Sequence, residues 1–141
     1  MKHATFSKMI GGLRALQQPW LPADQNYPHL LNLGAVVPAK DGIYAIWHLG
    51  VRPQWLRVGA TANLAAALTA LARLPWTLVH QSNGGIFVAW AHPPKEQQAG
   101  IARFLVETLN PAFQEMNFAL DLTFDRDIVP HTFPLPPGTR P

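Results

Sequence analysis

Tryptophans and arginines are interspersed between residues 47 and 90, and together these residue types can bind nucleic acid. An exposed indole ring stacks on a base, and a nearby guanidinium contacts a backbone phosphate. The candidate binding residues of this kind are Trp47, Trp55, Arg52, Arg57 and Arg73. The alternative is that the tryptophans pack the core, which is the commoner position of large aromatic residues. We expect a small sheet to leave some of them exposed, as an apolar surface for a partner or for self-association.

Residues that usually ligate metals are scarce or unsuitably spaced in this chain. It has no cysteine, six histidines and eight acidic residues, of which three are glutamates. No two histidines are four residues apart, and no carboxylate joins them in a zinc-binding pattern. A nucleophile elbow and a phosphate-binding glycine loop are absent as well. The spacing of these residues therefore predicts no metal site.

The composition restricts the class of protein. The 141 residues are 48% hydrophobic and 13% charged, whereas an average soluble domain has roughly 25% charged residues. This apolar content excludes disorder over most of the chain, and no stretch reaches the roughly 20 uninterrupted apolar residues of a membrane span. The formal net charge of +3 is dispersed and does not by itself indicate nucleic-acid binding. The absence of cysteine fits a cytoplasmic location.

The hydrophobic pattern predicts an α+β fold, in which helices flank a small antiparallel sheet of three or four strands. Strands are expected over 42–49, 55–59, 86–91 and 118–124, and helices over 62–74 and 95–109. An extra N-terminal helix over 2–18 and a lead-in, together residues 1–40, are expected to pack on a core of residues 41–125. Residues 126–141 are expected to form a proline-rich, extended tail that is either a loose terminus or a strap over the domain.

Two short motifs lie at the ends of the first two predicted strands. Gly42-Ile43-Tyr44 begins the first strand, and Arg57-Val58-Gly59 ends the second, directly before a helix that begins near Thr61-Ala62-Asn63-Leu64. Farther along, Leu105-Val106-Glu107-Thr108-Leu109-Asn110-Pro111 ends the last predicted helix. In this order and spacing, the four elements resemble the GIY-YIG nuclease domain over about residues 41–115.

The resemblance implies a chemistry that this chain retains only in part. GIY-YIG enzymes hydrolyse phosphodiesters with a divalent metal on a helix glutamate, with tyrosines that orient or activate water, and with an arginine that stabilises phosphate charge. Tyr44 matches the first tyrosine, and Arg57 replaces the second. The family's arginine, its following histidine or tyrosine, its glutamate and its trailing asparagine fall on Ala67, Leu71, Ala102 and Gln114. The chain thus resembles a degenerate member that lacks most catalytic residues.

Three functions are compatible with these observations. The first is a non-catalytic GIY-YIG-like module that needs no cofactor and binds nucleic acid or a protein. The second is a divergent endonuclease dependent on Mg²⁺ or Mn²⁺, in which Tyr44 and Arg57 are catalytic and Asp41 or Asp121 supplies the missing carboxylate. The third is a structural or assembly protein that associates through the tail and an apolar surface. We expect the first, a domain that is not an enzyme.

Overall fold

The computed structural model describes residues 19–24, 26–30, 37–48, 54–81, 85–114, 118–122 and 127–136. The predicted N-terminal helix over 2–18 lies outside the described residues, and so does Arg52. Within the described ranges, no helix has the length and apolar character needed to cross a membrane.

The described strands form one antiparallel sheet. Strand β1 (Gly42–His48) lies between β2 (Gln54–Thr61) and β3 (Ile86–Ala91). This arrangement confirms the predicted α+β fold with a small antiparallel sheet. The fourth strand, expected over 118–124, is not formed in the described residues 118–122, where Asp121 makes only an isolated bridge to Thr61.

The described residues form three helices, two between β2 and β3 and one after β3, and the second was not predicted. Helix α1 (Leu64–Leu71) is capped by Asn63, whose side-chain oxygen accepts from the backbone N–H of Ala66 at 3.0 Å. Helix α2 (Pro75–Gln81) begins at a proline directly after the end of the predicted helix over 62–74. A proline fits the first turn of a helix because that turn needs no N–H donor. Helix α3 (Lys95–Leu109) has the predicted limits and ends at Asn110, in the left-handed conformation.

Both faces of the sheet are buried, because side chains alternate along each strand and helices lie on either side. We call the two cores the α1-side core and the α3-side core. The α1-side core contains Tyr44, Ile46, Val88 and Trp90 of the sheet with Leu64, Leu68, Leu71 and Trp76 of the helices. The α3-side core contains Ile43, Ala45, Trp47, Val58 and Ala89 of the sheet with Ile101, Ala102 and Leu105 of α3.

Irregular chain covers part of each sheet edge. Along β2, the backbone N–H groups of Ala112 and Phe113 donate to the carbonyls of Trp55 and Leu56. Along β3, Leu21 and Trp90 exchange two backbone hydrogen bonds. Unpaired strand edges are templates for association between chains, so these contacts reduce that tendency in the described part of the sheet.

Candidate functional site

A β-bulge in β2 determines where Arg57 points. Ile46 pairs with Arg57 and Trp47 pairs with Trp55, so Leu56 is the extra residue between them. Trp55 faces the α3-side core, and strict alternation from it would direct Arg57 to the same core. The bulge shifts the alternation by one residue and brings Arg57 to the face that carries Tyr44.

Tyr44, Arg57 and Asp121 form one hydrogen-bonded group, which we call the polar cluster. The Tyr44 hydroxyl donates to the Asp121 carboxylate, at 2.9 and 2.8 Å from its two oxygens. Arg57 donates through Nε to the Tyr44 hydroxyl at 3.1 Å and through Nη2 to Asp121 Oδ2 at 2.7 Å. Tyr44 is fully buried, and the side chains of Arg57 and Asp121 are 4% and 11% exposed. Each of the three groups thus has its partners within the chain.

The cluster also holds the segment that follows α3 against the sheet. Arg57 Nη1 donates to the carbonyl of Phe113 at 2.9 Å, and the guanidinium lies 5.6 Å from the ring centre of Phe118. The Thr61 hydroxyl donates to the carbonyl of Leu120 at 2.7 Å. Charge-assisted bonds to a buried guanidinium are among the stronger hydrogen bonds in proteins. These bonds therefore hold the described residues 113–114 and 118–121 against β2.

Gly59, the last residue of Arg57-Val58-Gly59, is a glycine because the cluster lies directly against it. A Cβ at this position would be 2.7 Å from both the Tyr44 hydroxyl and Asp121 Oδ2. Ordinary van der Waals contacts start at about 3.5 Å, so any side chain here would displace the cluster.

Burial controls the protonation of the cluster. Burial, reinforced by the negative charge of Asp121, raises the pKa of Tyr44 well above its ordinary value of 10.0. Burial also raises the pKa of Asp121, against the opposing hydrogen bonds from Arg57 and Tyr44. Burial disfavours the charge of Arg57, but Tyr44 and Asp121 outweigh it and raise the pKa of the guanidinium. Tyr44 therefore keeps its proton at neutral pH and does not act as a base.

The structure brings together some of the residues expected at a nuclease site and separates others. Tyr44, Arg57 and Asp121 meet, whereas Asp41 accepts a hydrogen bond from Gln98 Nε2 of α3 at 2.7 Å. Ala102, at the position of the family's glutamate, packs in the α3-side core, on the face of the sheet opposite Tyr44. A carboxylate at that position would not reach the cluster.

The other matched positions have structural roles. Ala67 and Leu71 are fully buried in α1. Gln114 takes the place of a strand residue beside β2, because its side chain accepts from the N–H of Val58 at 3.0 Å and donates to the same residue's carbonyl at 2.7 Å. These contacts satisfy the backbone at the strand edge.

The polar cluster does not fit a divalent metal. Mg²⁺ and Mn²⁺ prefer several oxygen ligands with negative charge, and the cluster contains one carboxylate that already accepts from Tyr44 and Arg57. The adjacent guanidinium would also repel a cation. Among the described residues, no three histidines or acids are grouped in a way that could hold a metal ion.

The candidate binding residues are mostly internal. Trp47 and Trp55 are 3% and 9% exposed and contact each other edge to face at 5.6 Å. The expectation that some tryptophans are exposed is wrong, because helices on both faces and the irregular segments bury all five of them. Arg57 belongs to the polar cluster, and Arg73 is exposed in the turn between α1 and α2. The geometry does not favour base stacking on Trp47 or Trp55, and a role in binding for Arg73 stays a prediction.

Comparisons with protein-family models, with curated proteins and with solved structures gave no match to this chain. The functional argument therefore depends on the residues and their geometry.

Proposed function

We propose that this chain is a non-catalytic, GIY-YIG-like binding module whose partner is a protein. The observation that carries the proposal is the polar cluster, in which Asp121 of the chain itself binds the two side chains that the resemblance assigns to catalysis. Tyr44 and Arg57 are thus engaged in holding the fold together.

Two properties of the cluster argue against phosphodiester hydrolysis. A nuclease of this class needs a metal-bound nucleophile and an accessible phosphate site. Tyr44 is fully buried, and Arg57 already bonds to Asp121 and Phe113. A substrate phosphate would have to displace Asp121 before it could contact the guanidinium.

The described surface supports a protein partner over nucleic acid. Nucleic-acid binding usually requires unpaired basic side chains and exposed aromatic rings. Arg73 is exposed, but Arg57 is neutralised by Asp121, Arg103 pairs with Glu107, and the tryptophans are buried. The exposed side chains include aliphatic residues on α2, where Leu78 is 59% exposed.

The test is an assay of cleavage and binding with the purified full-length chain. Labelled single-stranded, duplex and branched DNA and single-stranded RNA are incubated with Mg²⁺ or Mn²⁺. We expect no cleavage above the level of Tyr44→Phe, which serves as the matched control for contaminating nucleases, and no salt-dependent shift in anisotropy. Metal-dependent cleavage by the wild type that is lost in both Tyr44→Phe and Asp121→Asn would establish the endonuclease instead.

A further inference from the structure

The described residues of the proline-rich tail run along α3 and are held at three regularly spaced points. Arg103 Nη1 donates to the carbonyl of Ile128 at 2.9 Å. The N–H of His131 donates to the carbonyl of Gly100 at 2.9 Å, and Trp20 Nε1 donates to the carbonyl of Pro134 at 2.8 Å. We call residues 128–134 the strap and the surface formed by Trp20, Gly100 and Arg103 the strap site.

The spacing of these contacts matches one particular backbone conformation. The strap is bound at residues 128, 131 and 134, an interval of three. A polyproline II helix has three residues per turn, so every third residue lies on the same side. Pro130 and Pro134 favour this conformation by fixing φ near −65°. An interval of three is therefore the one expected when a polyproline II segment contacts a surface with one side.

The strap site makes its polar contacts to backbone atoms and one ring contact to a side chain. All three polar contacts are made to backbone atoms of the strap, which any segment in the same conformation can supply. Recognition of a side chain comes from Phe133, whose ring meets Trp20 edge to face with the ring centres 5.7 Å apart. Most strap side chains are exposed, including Val129 at 78%. The chemistry that the site selects is an aromatic residue followed by proline.

Gly100 allows the strap to lie close against α3. A Cβ at Gly100 would be 2.7 Å from the carbonyl oxygen of Val129 and 3.2 Å from the Cβ of His131. A glycine inside a helix is less favourable than alanine. This less favourable residue lies at the point where α3 contacts the strap.

We propose that the strap site is a docking site for a proline-containing segment of another protein, and that the strap occupies it as an internal competitor. The inference rests on the proposed function and names the chemistry of the partner. The partner segment adopts the polyproline II conformation and carries an aromatic residue before a proline. Since a segment tethered to its own site has an effective concentration in the millimolar range, a partner binds appreciably when the strap is weakened.

The test uses the full-length chain and a labelled peptide of residues 127–136 added as a separate molecule. In the chain variant Phe133→Ala, the strap loses its ring contact with Trp20 and keeps the hydrogen bond from Trp20 Nε1 to the carbonyl of Pro134. We expect this variant to bind the wild-type peptide about tenfold more tightly than the wild-type chain does, measured by fluorescence anisotropy. A peptide carrying Phe133→Ala is the matched control and is expected to bind about tenfold more weakly.

A second variant separates docking from folding. Gly100→Ala, added to Phe133→Ala, favours the helix but blocks the strap, so peptide binding should fall about tenfold while the melting temperature stays equal or rises. Equal peptide affinity in the wild-type and Phe133→Ala chains, or in the presence and absence of Gly100→Ala, would overturn the proposal. Concentration-dependent dimers that exchange straps, seen by light scattering, would also overturn it, because the occupant would then be a second copy. Nuclease activity in the separate cleavage assay would refute the proposed function without changing these affinities.

Discussion

The polar cluster and the strap site both attach the chain after α3 to the domain, but they do so by different chemistry. In the cluster, charged side chains bind each other, and Arg57 and Asp121 are 4% and 11% exposed. At the strap site, the bonds go to backbone carbonyls and one backbone N–H, and most strap side chains are exposed. The first attachment depends on three particular side chains, whereas the polar contacts of the second need only backbone atoms of the strap.

This difference in chemistry determines how readily each attachment opens. Removing one partner of a buried ion pair leaves the other charge buried without compensation, which costs about 3–5 kcal/mol. A hydrogen bond to a neutral backbone group contributes about 0.5–1.5 kcal/mol, and an exposed segment can replace it with water. We therefore expect the cluster to open only when the whole domain unfolds, and the strap to detach while the domain stays folded.

Asp121→Ala should give the largest effect on stability. The substitution leaves the guanidinium of Arg57 and the hydroxyl of Tyr44 buried without their acceptor, so the free energy of unfolding should fall by about 3–5 kcal/mol. Urea unfolding followed by circular dichroism measures this change. Glu96→Ala, at an exposed acid in the first turn of α3, is the matched control and should change the stability by less than about 1 kcal/mol. Equal effects of the two substitutions would remove the distinction between the two attachments.

Tyr44→Phe should lower the free energy of unfolding by about 1.5–3 kcal/mol at pH 7, because it removes the hydroxyl that bonds to Arg57 and Asp121. It should also alter the response to alkali. The pKa of Tyr44 is raised in the folded state, so its stabilising contribution is complete below about pH 10 and is lost as the pH rises further.

The dependence of stability on alkaline pH distinguishes the hydrogen-bonding role of the Tyr44 hydroxyl from simple packing of its ring. Above pH 10, the wild type should lose about 1.4 kcal/mol per pH unit through Tyr44 until the folded-state pKa is reached, and Tyr44→Phe should lack this component. Urea titrations at several pH values measure the slope. Tyr27→Phe is the control, since Tyr27 is the chain's other tyrosine. Parallel slopes for the wild type and Tyr44→Phe would mean that the hydroxyl is not held as described.

Gly59→Ala and Gly100→Ala compare how well the polar cluster and the strap site tolerate one added methyl group. At Gly59 the methyl carbon would meet Tyr44 and Asp121 within the buried cluster, and the stability should fall by about 1–3 kcal/mol. At Gly100 the methyl carbon meets an exposed strap that can move away, so Gly100→Ala should maintain or raise the stability. Thermal unfolding of the two variants decides this, and a larger loss at Gly100 would contradict the comparison.

The regular elements could be predicted because their signals are local. Helix α3 follows from its apolar periodicity between Pro93-Pro94 and Asn110-Pro111, and β3 follows from a short apolar run after two glycines. Helix α2 was missed because a proline that begins a helix and one that ends a helix look alike in the sequence.

The two attachments depend on contacts between distant parts of the chain. Alternation within β2 places Arg57 on the wrong face, and the bulge that corrects it arises from the pairing with β1. Asp121 was a candidate carboxylate, but its contact with Arg57 spans 64 residues. The prolines of the tail favoured an extended segment, and Gly100 within α3 was the one local signal of where that segment lies.

Arg103→Ala should have the smallest effect on stability and the clearest effect on the strap. The substitution removes the bond to the carbonyl of Ile128, so hydrogen exchange in the strap should accelerate several-fold while the free energy of global unfolding changes by less than about 1 kcal/mol. Glu107→Gln is the matched control, because it removes the i, i+4 ion pair and leaves the donor of that bond in place. If Arg103→Ala instead destabilised the whole domain as much as Asp121→Ala, the strap would be part of the cooperative fold and could not exchange with a partner.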